Sequence, residues 1–284
     1  MKKIPYGRQL IDDIDLKSVA ETLKSDFLTT GPRILEFEKA FADYVGSKYA
    51  VSVSNGTGAL HICALALGVD KTSKVITTPI SFAASSNCVL YCGGKVEFVD
   101  INPDTLTLDI PLLQELLENS EENEYDGIIP VNFAGYPINT EQLRKIADRY
   151  NLWILEDACH SPGANYKNSE GIQQYAGNGE YSDLAIFSFH PVKHITSGEG
   201  GMITTNDKSL YEKLLMLRSH GIVKDGSTSL QNHGGWAYDM VDLGFNYRLT
   251  DFQAALGLSQ LKKADKWFKR RTEIANKYDE AFKN

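Results

Sequence analysis

The stretch Tyr49-Ala-Val-Ser-Val-Ser-Asn-Gly-Thr-Gly-Ala-Leu-His-Ile-Cys-Ala-Leu-Ala-Leu67 decides the fold. Tyr49–Val53 is an apolar run too short for a helix, and Thr57–Leu67 has helical spacing. A small, polar turn separates them. The same alternation then recurs: Lys74–Thr77 strand-like, Phe82–Tyr91 helical, Val96–Val99 strand-like, Ile110–Leu117 helical, Gly127–Val131 strand-like, Thr140–Tyr150 helical and Leu152–Leu155 strand-like. Short apolar runs alternating with helices predict βαβ units and an α/β fold, with a mainly parallel, helix-covered sheet.

Outward from that stretch, residues 14–24 and 33–45 read as amphipathic helices. Past Asp157 the rhythm changes. Residues 161–182 are rich in Gly, Asn and Ser and read as loop, with strands expected at Leu184–Phe189 and Met202–Thr205. A helix is expected over Asp207–Arg218 with Asp207 as N-cap, then loop over 221–240, then one helical pattern from Thr250 to the end.

The composition narrows the function classes. The 284 residues are 42% hydrophobic and 23% charged, which is globular usage. The net charge of -8 makes the chain a poor general binder of nucleic acid or anionic membranes. Met1 to Leu10 lacks the apolar core of a signal peptide, and no apolar run is long enough to span a bilayer, so a cytoplasmic protein is expected. Cys63, Cys88, Cys92 and Cys159 form no CxxC pair. Cys88 and Cys92 are expected on one buried helix face as reduced thiols, and no metal site is expected.

Neither a GxGxxG nor a P-loop sequence occurs. Four segments can carry chemistry. Ser54-Asn-Gly-Thr-Gly-Ala-Leu-His61 joins a strand to a helix start, either as a phosphate cradle or as a plain turn with Thr57 capping. Trp153-Ile-Leu-Glu-Asp-Ala-Cys-His160 ends a strand in Glu156 and Asp157, where open α/β sheets bind ligands, although a helix cap would look the same. Ser188-Phe-His-Pro-Val-Lys-His-Ile-Thr-Ser-Gly-Glu-Gly-Gly201 places Lys193 between His190 and His194. A lysine becomes a nucleophile when burial or nearby cations lower its pKa, while a lysine in a loop is ordinarily just solvated. Pro191 argues against reading the two histidines as a helical metal pair. Asp242-Leu-Gly-Phe-Asn-Tyr-Arg-Leu-Thr-Asp251 sets Asn246 and Arg248 in an apolar frame, with Thr250 as a helix cap.

Together these segments resemble the DegT/DnrJ/EryC1/StrS sugar aminotransferases. Leu28-Thr-Thr-Gly-Pro, Phe37-Glu-Lys-Ala-Phe, Asn55-Gly-Thr, Thr78-Pro-Ile-Ser-Phe, Glu156-Asp-Ala-Cys-His, Ser188-Phe-His-Pro-Val-Lys, Gly198-Glu-Gly-Gly, Arg218-Ser-His-Gly and Gly244-Phe-Asn-Tyr-Arg-Leu occur in family order over nearly the whole chain. The resemblance implies a type I pyridoxal-phosphate-dependent transferase fold, like that of aspartate aminotransferase. It implies Lys193 as the Schiff-base lysine and Asp157 as the partner of the pyridine nitrogen. His160 is then near the ring hydroxyl, Phe82 stacks on the ring, and Gly56, Thr57 and Ser188 hold the phosphate. Asn246 is implied to reach the phosphate of the neighbouring subunit in a homodimer. Tyr6, Thr29, Thr30 and Gly31 are implied to touch the nucleotide-sugar.

By the same resemblance L-glutamate donates the amine and a keto-sugar accepts it. The sequence is similar to the branch that aminates C4 of a UDP-linked 4-keto-6-deoxy-N-acetyl-hexosamine on the way to pseudaminic acid. Relatives with His at the Schiff-base position remove a sugar hydroxyl instead, and Lys193 speaks against that alternative. Family members continue into a smaller α/β domain. Residues 1–249 are therefore expected to be the large cofactor-binding domain and 250–284 the long helix leading to a small domain that the chain lacks. A cofactor-binding or dimerising module without turnover stands as the other alternative.

Overall fold

A computed structural model describes residues 5, 7–223 and 238–283. The chain enters through α1 (Asp13–Leu23), capped by the Asp12 carboxylate, which accepts from the Ile14 and Asp15 N–H groups. α2 (Pro32–Val45) starts on a proline and stops at left-handed Gly46. The predicted alternation follows: β1 (Tyr49–Val53), α3 (Gly56–Ala66), β2 (Lys74–Thr77), α4 (Ala83–Tyr91), β3 (Lys95–Phe98), α5 (Ile110–Glu118), β4 (Gly127–Ile129), α6 (Thr140–Arg149) and β5 (Trp153–Asp157). Then come β6 (Asn165–Lys167), β7 (Gln173–Tyr175), β8 (Leu184–Ser188), β9 (Gly201–Thr205), α7 (Lys208–Arg218), β10 (Ile222–Val223), β11 (Asp239–Met240), α8 (Asp251–Leu261) and α9 (Ala264–Ala281). Asp207 caps α7 as expected, its carboxylate accepting from Leu210 N–H.

Four expectations need correction. The two ends of the stretch read as loop over 221–240 pair as β10 and β11. The stretch read as loop over 161–182 contains the β6–β7 hairpin. Its strands alternate polar residues over a mostly exposed surface, so no apolar period marks them. The helical pattern after Thr250 is two helices broken at Lys262 and Lys263, because Lys263 turns inward to pair with Asp12 and Asp15. Cys88 is buried, but Cys92 is half-buried and serves as the C-cap of α4, so the two thiols do not share a buried face.

Seven strands form one sheet in the order β1-β9-β8-β5-β4-β2-β3. Strand β9 runs antiparallel to both its neighbours, and the other pairings are parallel. Alternation sorts the side chains onto two faces. Val51, Val53, Val75, Leu155, Leu184 and Ile186 pack under α3, α4 and α7. On the other face, Ala50, Phe187 and Met202 meet α2 and α8, while Ile76, Ile128 and Ile154 meet α5 and α6. The carboxyl ends of β1, β4, β5 and β8 share one edge, where Gly201 of β9 lies opposite both Val53 and Ser188. Among the described residues, no helix is long and apolar enough to cross a membrane.

Candidate active site

At that edge lies a cavity of about 660 Å³. Pockets that hold small ligands measure about 300–1,000 Å³. Asp157, at the end of β5, is 4% exposed. Ser85 of α4 donates from Oγ to Asp157 Oδ2 at 2.6 Å, and the Cys159 N–H donates to Oδ1 at 3.2 Å. Glu156 points to the opposite face of the sheet. There it accepts from Asn132 Nδ2 at 2.7 Å and from Gly177 N–H at 3.1 Å, and burial pushes its carboxyl above the usual range. The pleat therefore resolves the choice the sequence leaves open: Asp157 belongs to the cavity and Glu156 to a buried brace.

Lys193 lines the same cavity from the loop between β8 and β9. That loop is pinned rather than free. The Lys193 N–H donates to the His190 carbonyl at 2.8 Å, and Thr196 Oγ1 and Ser197 N–H both donate to the Phe189 carbonyl. Ile195, Thr196 and Ser197 are buried. His160 follows Asp157 in chain order. Burial pushes its pKa below the ordinary histidine value, the Lys193 charge adds to the fall, and Asp157 opposes it. Burial likewise drives the Cys159 thiol well above its usual pKa, with Asp157 contributing. A neutral imidazole and a protonated thiol therefore sit beside Lys193 and Asp157 at neutral pH.

The opening turn of α3 forms the remaining wall. Asn55, not Thr57, caps this helix, accepting from Gly58 N–H at 2.7 Å. Gly56 and Thr57 line the cavity, and first-turn N–H groups have no partner within their own helix. A Cβ on Gly56 would sit 3.1 Å from Ser188 Cβ, and one on Gly201 would sit 2.7 Å from the Asn55 carbonyl oxygen. Both glycines keep this corner open for a group held by backbone amides. Phe82, the N-cap residue of α4, is 70% exposed at the cavity wall.

The residues fit pyridoxal phosphate. The helix start and Ser188 suit a phosphate, Asp157 suits a protonated ring nitrogen, Phe82 offers a ring face, and Lys193 offers an amine. Gly56, Thr57, Phe82, Asp157, His160, Ser188 and Lys193, which the family resemblance groups in one site, all line this cavity. Asn246 is not among them: it bridges to Ser219 and is exposed. Thr29 and Thr30 line a second depression with Arg218, His220 and Arg248. Gly31 caps α2, its N–H donating to Asp251 Oδ2 at 2.8 Å. Tyr6 lies outside the described residues. The sequence reading missed Ser85 and the backbone N–H of Cys159. The run Ala83-Ala-Ser-Ser86 reads only as a small-residue helix start, and nothing local says which hydroxyl meets the end of a distant strand.

The family model described as the DegT/DnrJ/EryC1/StrS aminotransferase family matches residues 9–284. A Campylobacter jejuni protein named UDP-4-amino-4,6-dideoxy-N-acetyl-beta-L-altrosamine transaminase is 42% identical over 279 residues, covering 98% of this chain and 69% of its own length. The Bacillus subtilis spore coat polysaccharide biosynthesis protein SpsC is 37% identical, with the same coverage of both chains. Among solved structures, Helicobacter pylori PseC, an aminotransferase involved in the biosynthesis of pseudoaminic acid, superposes with a TM-score of 0.87 at 33% identity, over 100% of this chain and 71% of its own. The pyridoxal-phosphate form of the putative sugar aminotransferase Spr1654 from Streptococcus pneumoniae gives 0.84 at 29% identity, over 98% and 71%. The chain therefore belongs to the DegT/DnrJ/EryC1/StrS aminotransferase family, a family of pyridoxal-phosphate-dependent sugar aminotransferases.

Proposed function

We propose that this protein transfers an amino group from L-glutamate to a nucleotide-linked 4-keto-6-deoxy sugar, a UDP-linked N-acetyl-hexosamine, in the biosynthesis of a surface amino sugar such as pseudaminic acid. The gathering of Lys193, Asp157, Ser188 and the start of α3 around one cavity carries this reading. The C. jejuni relative, whose name gives a UDP-linked amino sugar, supports the acceptor class. Lys rather than His at position 193 favours amine transfer over dehydration.

Pyridoxal phosphate, when bound, supplies an electron sink for the carbanion at the amine-bearing carbon. Gly56, Thr57 and Ser188 would hold its phosphate, Phe82 would cover its ring, and Asp157 would keep its ring nitrogen protonated, with His160 near the ring hydroxyl. Lys193 Nζ would hold the cofactor and, as a free amine, would take the α-proton of the amino donor. Asn246 serves the phosphate of a neighbouring subunit in a homodimer. Its exposed position outside its own chain's cavity supports that role. Tyr6, Thr29, Thr30 and Gly31 contact the nucleotide-sugar. Residues 1–249 are the cofactor-binding domain, and 250–284 a helical segment that follows it. The four cysteines are free, which supports a reducing, cytoplasmic setting.

The test is spectroscopic. Pyridoxal phosphate should give the chain a visible band that borohydride fixes to the peptide holding Lys193. L-Glutamate should bleach the band, and the UDP-linked keto-sugar should restore it. Lys193→Ala should lose both the fixation and turnover. A band that ignores glutamate, or a fixed label on another lysine, would refute the proposal.

A further inference from the structure

Beside the cofactor cavity lies a second, smaller pocket, of about 240 Å³, and Lys193 lines both. Its walls come from the segment before α1, from the Lys193 loop and from α9. The first wall is fixed in place. Gln260 Nε2 donates to the Leu10 carbonyl at 3.0 Å and to Asp15 Oδ2 at 2.7 Å.

The pocket is strongly basic. Arg8, Arg270, Arg271 and Lys193 line it, and no Asp or Glu does so among the described residues. Arg270 pairs with Glu273 at 3.0 Å. Arg8 and Arg271 make no ion pair with another described residue, and they also line the open depression that adjoins the pocket. His194 completes the wall, with a buried Nδ1 that has no hydrogen-bond partner among the described residues. Two guanidinium groups with no ion pair among the described residues, next to the reactive lysine, make a site for an oxyanion, and their planar forks match a carboxylate bidentately.

We propose that this pocket binds the side-chain carboxylate of the dicarboxylic amino donor, with Arg271 and Arg8 as its cations. The inference rests on the transaminase reading above and adds the residues that select the donor. Placing the carboxylate here would leave the donor's amine on the Lys193 side, facing the cofactor cavity.

Calorimetric titration of the cofactor-free chain with glutarate, a dicarboxylate without an amine, isolates the pocket from the chemistry. Glutarate should bind, and glutaramide should bind at least tenfold more weakly. Arg271→Gln and Arg8→Gln should each weaken glutarate about tenfold or more, the cost of losing a charge-assisted hydrogen bond. UDP should not displace glutarate. In the cofactor-loaded chain, Arg271→Gln should raise the L-glutamate concentration that half-bleaches the visible band, and leave that for L-alanine unchanged. Equal affinity for glutarate and glutaramide, or no glutarate binding, overturns the proposal. So does full affinity in both variants, or displacement of glutarate by UDP, which would assign the pocket to the nucleotide. If the band ignores glutamate altogether, the transaminase reading fails, while the glutarate titration still decides the pocket.

Discussion

Both carboxylate oxygens of Asp157 have a donor, Ser85 Oγ on one and the Cys159 N–H on the other. Ser85 is fully buried, so its hydroxyl has no water to turn to and the bond fixes the carboxylate's orientation. Ser85 is a positioning residue. A hydrogen bond to a charged group contributes about 1.5–3 kcal/mol, so Ser85→Ala should lower kcat roughly ten- to hundredfold. The donor KM should stay near its original value, which steady-state kinetics would check. His194 carries a second prediction. Burial, then Arg271, His160 and Lys193, push its pKa from 6.5 down to about 4. Between those values the unfolded chain binds the extra proton and the folded chain does not, so stability rises with pH across this window. The contribution is complete above pH 6.5 and is lost as pH falls towards 4. Urea midpoints of the cofactor-free protein should drop more steeply over that window than those of His194→Gln. The slope difference should be at most about 1.4 kcal/mol per pH unit. Of the candidate site, the residues on recurrent short segments were legible: Lys193, Asp157, Ser188 and Gly56 each stand in a quotable motif. Ser85 was not, because its role depends on α4 crossing the end of β5, a contact between residues far apart in sequence.

At the scale of elements, the site depends on how closely β9 passes the turn between β1 and α3. Gly201 begins β9, and a Cβ there would lie 2.7 Å from the Asn55 carbonyl oxygen and 3.0 Å from the Gly56 nitrogen. Both are backbone atoms, so the turn itself would have to move. Gly201→Ala should therefore displace the phosphate corner. Overpacking of this kind costs about 1–3 kcal/mol, and the affinity for pyridoxal phosphate should fall about tenfold or more. An absorbance titration would show it, with far-UV circular dichroism unchanged. The elements that build this corner were readable because each has a clean period. β1, β5 and β8 are short runs buried almost throughout, and α3 after β1 and α4 after β2 have helical spacing. The β6–β7 hairpin was not readable, since its residues are Asn, Lys, Gln and Tyr on an exposed surface. The break between α8 and α9 contains neither Gly nor Pro. It comes from the pull of Asp12 and Asp15 on Lys263, charges that lie at the other end of the sequence.

That same charge cluster ties the molecule together. Asp15 is fully buried in α1; it accepts from Ser259 Oγ at 2.6 Å and Gln260 Nε2 at 2.7 Å, and forms an ion pair with Lys263 Nζ at 2.7 Å. Ser259 and Gln260 belong to α8, and Lys263 sits at the joint with α9. One carboxylate thus locks the first helix onto the last two, and Gln260 extends the lock to Leu10 in the segment that walls the basic pocket. A buried pair of this kind contributes little net energy compared with an apolar replacement, but removing one partner strands the other, at about 3–5 kcal/mol. Asp15→Ala should cost about that much. It should also do so unevenly, since the sheet and its main core clusters make no use of Asp15. Hydrogen exchange should accelerate in α1 and around the break between α8 and α9, while β4, β5 and β8 keep their protection. Glutarate binding should weaken with it, because Arg8 and Arg271 hang from the two ends that Asp15 joins. Uniform acceleration across the whole sheet would show instead that the lock is part of the global core.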